Sequence, residues 1–190
     1  MSRAVPHTPL PGDLAIWFFI YAELLVFGIL FIAYAITKNL NPEIFAEGHA
    51  HLNRLAGLIN TGALITSSYF VVRAVGAIKL NRRKACGTQL LLALAAASIY
   101  VLVKLFEYYQ SISAGFDLST NTFYTFYYLL TFFHFAHVLL GMVILAAIYF
   151  KNRTGHYSNI EHTGVETGAS YWHMVDLVWV ILFPLVYVIR

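Results

Sequence analysis

Five long apolar blocks separated by short polar loops decide most of what this chain can become. They cover residues 14–36, 55–78, 87–110, 123–150 and 170–189. Crossing a hydrocarbon core of about 30 Å takes roughly 20 helical residues at about 1.5 Å rise each, and every block is long enough. Unpaired peptide groups in lipid cost several kcal/mol each, so a spanning segment is either a helix or a strand of a closed barrel. Barrel strands cross in about ten residues, which these blocks far exceed. The expected fold class is therefore all-α: a polytopic membrane bundle of five transmembrane helices. It forms a single membrane domain over residues 1–190, because no loop has room for a second one.

Composition agrees: 59% of residues are hydrophobic and 11% charged, outside the range of soluble domains. The single cysteine, Cys86, excludes an internal disulfide and a thiolate metal site. The first block follows a stretch whose only Lys or Arg is Arg3, exceeds a signal-peptide core in length and ends in no small-residue cleavage motif. It is expected to stay in the membrane. Lys79, Arg82, Arg83 and Lys84 crowd the loop after the second block, and Lys151 and Arg153 follow the fourth, whereas residues 111–122 hold Asp117 and no Lys or Arg. The positive-inside rule then puts the amino terminus and both basic loops in the cytoplasm and Arg190 outside; Lys38 and Arg54 weaken this bias without reversing it. Tyr108, Tyr109, Phe123, Tyr124, Tyr127, Tyr128, Tyr171 and Trp172 cluster at block ends, most of them as expected for headgroup anchors. No internal repeat, phosphate-cradling glycine loop or basic stripe with interleaved aromatics is present, so nucleic acid is not an expected partner.

Polar groups inside the spans narrow the search for function, because lipid excludes them unless they pair or line a path. Glu23 lies deep in the first span, with no charged residue nearer in sequence than Asp13. An isolated carboxyl there is expected to be neutral, either bonding a neighbouring helix or exchanging a proton. Lys104 and Glu107 stand one turn apart in the third span and can pair along it. His134 and His137, with Thr131 and Gly141, form a stripe on the fourth that reads as a packing face with histidines bonded across it. His173 and Asp176 repeat the spacing in the fifth, where the carboxylate can fix the imidazole tautomer. Asn60, Thr61, Ser67 and Ser68 supply polar contacts from the second span. No Glu-x-x-His pair of the di-iron type occurs in the spans, and the histidines lie at unmatched depths for a bis-histidine haem. Pro184 is expected to kink the last helix near its outer end.

The run Tyr171-Trp172-His173-Met174-Val175-Asp176-Leu177-Val178-Trp179 resembles the last-helix signature Tyr-Trp-His-x-Val-Asp-x-x-Trp of subunit III of the haem–copper oxidase superfamily. His134 to Gly141 resembles the family's His-x-x-His-Val-x-x-Gly segment, Glu107-Tyr108-Tyr109 its glutamate–tyrosine segment, and Asn60-Thr61 with Ser67 fits the helix between. Glu23 falls where the family has its carbodiimide-reactive glutamate. The match covers all five spans and resembles the short branch without the two helices that wall a lipid-filled cleft in seven-helix members. The compact start at Pro11-Gly12-Asp13 is most similar to the accessory protein of denitrifying nitric-oxide reductase; subunit III of a terminal cytochrome c or quinol oxidase is the alternative. The resemblance implies a non-catalytic subunit of the bacterial inner membrane with no cofactor and no metal of its own. Haem and metal would belong to a catalytic subunit I partner, with phospholipid as a second companion. It makes Glu23 the intramembrane protonatable group, and Asn60, Lys104, Glu107, His134, His137, His173 and Asp176 a polar network, none of them catalytic. The rival from another class is a free-standing membrane haem or metal oxidoreductase.

Overall fold

The computed structural model describes residues 12–189. Arg3, Pro11 and Arg190, used above for topology and family likeness, lie outside the described residues. Five helices are long and apolar enough to cross a membrane, as the blocks predict. They are α1 (Leu14–Leu40), α3 (Arg54–Lys79), α4 (Arg83–Ser113), α5 (Thr122–Arg153) and α6 (Thr163–Phe183), with a short amphipathic helix α2 (Pro42–His51) between the first two. α2 lies between the predicted blocks because its ten residues carry too little apolar content to span. Asn41 precedes a proline at its first turn, and the helix buries Phe45, Gly48 and His49.

Each spanning helix runs past its apolar block, since a helix needs no apolar side chains once it leaves the hydrocarbon. Side-chain caps start three of them: Asp13 accepts from Ala15 N at 3.3 Å, Asn53 from Ala56 N at 3.1 Å and Asn121 from Tyr124 N at 3.0 Å. The largest extension is at α6, whose first turns precede the last apolar block. There Glu166 accepts from Gly12 N at 3.3 Å and pairs with Lys79 at 2.7 Å, while Thr167 Oγ1 accepts from Asp13 N at 3.1 Å. These bonds dock the start of α1 on α6. At the other end Pro184 cannot donate an amide to the helix, and the chain continues as a π-helical turn, Pro184–Val188, that turns Tyr187 into the core.

α3 and α4 make the most extensive pairing, and α5 and α6 close the bundle against them. Glycine sets the closest approach between α5 and α6: a Cβ on Gly141 would sit 2.7 Å from the Trp172 ring, and one on Gly168 would collide with Ile148. α1 is the outlier. Only 11% of its apolar window is buried, against 33–50% for the other spans, so most of its side chains face outward.

The aromatic cluster corrects the anchor reading. Phe123, Tyr124, Tyr127, Tyr128, Tyr171 and Trp172 are all buried, and among the eight only Tyr109 is fully exposed. Tyr127, Tyr128 and Tyr171 find acceptors for their hydroxyls there, whereas the Tyr124 hydroxyl and Trp172 Nε1 are buried without a partner among the described residues, so ring packing is what holds Phe123, Tyr124 and Trp172 inside. Tyr128 donates to Phe116 O at 2.7 Å and Tyr171 to His137 O at 3.2 Å.

Candidate functional site

Two acid–base constellations lie inside the bundle, and they are built differently. The first grows from Lys104 and Glu107 on α4, which pair at 3.1 Å as their spacing predicts. Both are buried, and two tyrosines from distant parts of the chain complete the site. Tyr127 of α5 and Tyr187 of the π-helical turn donate to Glu107 Oε1 at 2.9 and 2.7 Å, and Lys104 Nζ donates to the same two hydroxyls at 3.3 and 2.6 Å. Each phenol therefore accepts from the ammonium and donates to the carboxylate, so the hydrogen bonds close on themselves. The rings of Tyr108, Tyr127 and Tyr187 stand 4.8, 4.8 and 5.3 Å from the ammonium, adding cation–π attraction. A buried ion pair is sustained only when its remaining donors and acceptors are satisfied in this way.

The second joins α1 to α5. Glu23 Oε2 lies 3.0 Å from His137 Nε2, and the two side chains keep 19% and 11% of their exposure. His137 Nδ1 lies 2.7 Å from Phe133 O, a carbonyl that can only accept, so Nδ1 carries a proton. The contact between Nε2 and Oε2 then needs one more proton, held by the carboxyl or by the imidazole. The pair has zero net charge either way, and the two groups share that single proton.

His134, one turn from His137, is occupied on both sides. Its Nε2 donates to Val175 O at 3.1 Å and its Nδ1 accepts from Tyr100 at 3.0 Å. This neutral tautomer, 0% exposed, leaves no nitrogen for a metal. His173 differs from expectation: its Nδ1 bonds Ser68 Oγ at 2.6 Å, and no hydrogen bond joins it to Asp176 among the described residues. A hydroxyl from α3 reaches the imidazole across the helix contact, while Asp176 keeps one oxygen buried and unpartnered. Asn60 is fully buried with neither amide atom bonded, so the structure does not bring it into the network. Its neighbours do take part in helix contacts: Thr61 accepts from Trp179 Nε1 at 2.9 Å, and Ser67 donates to Ala93 O at 2.8 Å. Among the described residues no group of three or more His, Cys, Asp or Glu could hold a metal.

Sequence reading missed Tyr100, Tyr127 and Tyr187, and the Tyr34 hydroxyl 3.0 Å from His49 on α2. The available signal was spacing. Tyr127 lies seven residues before His134 on the same helix, which puts it on the polar stripe already drawn through Thr131.

The profile of the cytochrome c oxidase subunit III family matches residues 12–189, which takes in every element described above. The chain belongs to that family. It is 35% identical over 172 residues to cytochrome c oxidase subunit 3 of Synechocystis sp., covering 90% of this chain and 72% of the relative. It is 34% identical over 172 residues to the protein of the same name from Thermostichus vulcanus, covering 90% and 84%. The corresponding protein of Loxodonta africana is 29% identical over 190 residues, covering 95% and 72%. The chain is thus a multi-pass membrane protein of the haem–copper oxidase subunit III type, and both constellations lie within the part of it that defines the family.

Proposed function

We propose that this chain is the third subunit of a terminal cytochrome c oxidase, packed against a catalytic subunit I and carrying no haem or copper itself. The observation that carries this reading is the family match across residues 12–189. Relatives bearing the cytochrome c oxidase name favour it over the nitric-oxide reductase role that the compact start of the chain suggested. The thinly packed α1, with Phe18, Tyr21, Leu25, Ile29 and Ile32 exposed along it, is the face offered to that partner or to lipid. The Lys104–Glu107 cage holds the outer end of the bundle rigid. The Glu23–His137 pair supplies a proton-exchanging group beside the partner. Asn60, His134, His173 and Asp176 belong to the packing between helices. The charge of the basic loops favours an amino terminus in the cytoplasm and a carboxyl terminus on the outer side of a bacterial inner membrane.

Affinity purification of the tagged chain from its own membranes, followed by a reduced-minus-oxidised spectrum and gas-electrode assays, tests this. The expected result is a co-purifying haem-containing subunit and oxygen consumption. Nitric oxide consumption without oxygen consumption would move the chain to the reductase. A haem band from the isolated chain would replace the subunit reading with the free-standing oxidoreductase.

A further inference from the structure

Where α4 begins and α5 ends, the two helices enclose a groove of about 540 Å³. Its lining changes character with depth. Arg83, Lys84 and Arg153 stand at the level of the loops, and Leu91 and Tyr149 line it further into the span. None of the three cations has an ion-pair partner among the described residues, although Lys79 nearby has one. The first turn of α4 has no side-chain cap, so its positive end adds to theirs. Asn152, 5% exposed, also lines the groove. It donates through Nδ2 to Arg83 O at 2.9 Å, and its Oδ1 is buried with no partner. Gly87 lets α4 come this close, since a Cβ there would lie 3.3 Å from Asn152 Nδ2.

These features specify a ligand more narrowly than charge alone does. Three cations and a helix amino terminus call for a phosphate. An unpaired carbonyl oxygen beside them repels a second anionic oxygen and calls for a hydroxyl or ammonium donor. The three cations disfavour an ammonium, which leaves a hydroxyl. The apolar walls deeper in the span call for hydrocarbon. We propose that this groove binds a glycerol-bearing anionic phospholipid of the phosphatidylglycerol type, drawn from the leaflet that the basic loops face. Arg83, Lys84 and Arg153 hold the phosphate, Asn152 Oδ1 accepts from a headgroup hydroxyl, and an acyl chain lies along Leu91 and Tyr149. The bound lipid ties the start of α4 to the end of α5. α1 contributes nothing to this site, and the site does not depend on which catalytic subunit the chain serves.

Native mass spectrometry of the full chain released from phosphatidylcholine nanodiscs doped with phosphatidylglycerol tests the assignment. The expected result is a retained phosphatidylglycerol adduct, enriched over its share in the disc. The adduct falls about tenfold or more in Arg83→Gln/Lys84→Gln/Arg153→Gln, but not in Lys151→Gln, which removes a cation from the same end of α5 outside the groove. Phosphatidylglycerol is retained over phosphatidylmethanol, which has the phosphate but no hydroxyl, and Asn152→Ala abolishes that preference. An adduct with the bulk lipid ratio overturns the proposal. So does a loss in Lys151→Gln equal to that in the triple variant, or displacement of the lipid by millimolar inorganic phosphate, which would make this a free-phosphate site.

Discussion

The Lys104–Glu107 cage and the Glu23–His137 pair are made from similar groups and behave as opposites. Lys104 and Glu107 keep 0% and 4% of their side-chain exposure, and every hydrogen bond their shared site needs comes from within it. Glu23 and His137 keep 19% and 11%, and their bond crosses to the most loosely packed helix of the bundle. A sealed pair gives rigidity, because moving any member leaves a buried charge uncompensated. A half-open pair bridging a loose helix is the one of the two that the proposed proton exchange requires. Burial and the number of partners, rather than residue type, separate the two roles.

The comparison breaks first at the cage. Lys104→Met leaves a buried carboxylate with only phenols around it and is expected to cost about 3–5 kcal/mol, as is Glu107→Leu, which strands the ammonium instead. The double variant should regain most of that loss. The only cysteine, Cys86, is fully buried, so a thiol-reactive dye followed during heating reads these changes directly. Additive losses in the double variant would mean that the two groups do not act as a pair. Next, Tyr187→Phe removes one hydrogen bond to the carboxylate and one from the ammonium, with an expected loss of about 2 kcal/mol in the same assay. An unchanged melting curve would show that the π-helical turn does not anchor the cage.

The half-open pair should respond in chemistry instead of stability. Glu23→Gln is expected to change the melting curve by less than about 1 kcal/mol and to shorten the time over which the partner complex sustains turnover. In the intact chain a hydrophobic carbodiimide should label Glu23 and spare Glu107, as peptide mapping would reveal. Equal labelling of the two would erase the distinction. The smallest effect is expected in the loop between α4 and α5, where bonds from the Ser119 hydroxyl and amide and from Thr120 hold the Asp117 carboxyl below its usual 3.8. A carboxylate depressed in the folded state stabilises above that usual value and loses its contribution as pH falls through the folded one. The protection factors of the amides around residues 116–120, corrected for intrinsic exchange, should therefore fall on acidification below about pH 4, and in Asp117→Asn this fall should vanish.

Much of this was legible in the residues. The five spans were, because lipid permits only helices of that length, and so was the Lys104–Glu107 pairing, because three-residue spacing on a helix is local geometry. The role of Gly141 as a packing residue followed from its place on the small and polar stripe. Other readings failed where partners come from far along the chain. The His173 imidazole took Ser68 instead of Asp176, 105 residues away rather than three. Of the tyrosines expected at the headgroup layer, Tyr127, Tyr128 and Tyr171 turned inward to acceptors, and Tyr124 to ring contacts with Phe116 and Phe123.

Sequence by itself therefore determined the fold class, the number of crossings, the family and the set of polar side chains that had to be satisfied. Only the tertiary structure decided which of them are sealed and which are open. Helix spacing fixes neighbours on one helix, whereas burial and bonding depend on which faces of α1, α4, α5 and α6 meet. The same glutamate side chain is thus sealed by bonds from Lys104, Tyr127 and Tyr187 at position 107 and half-open, paired with His137, at position 23.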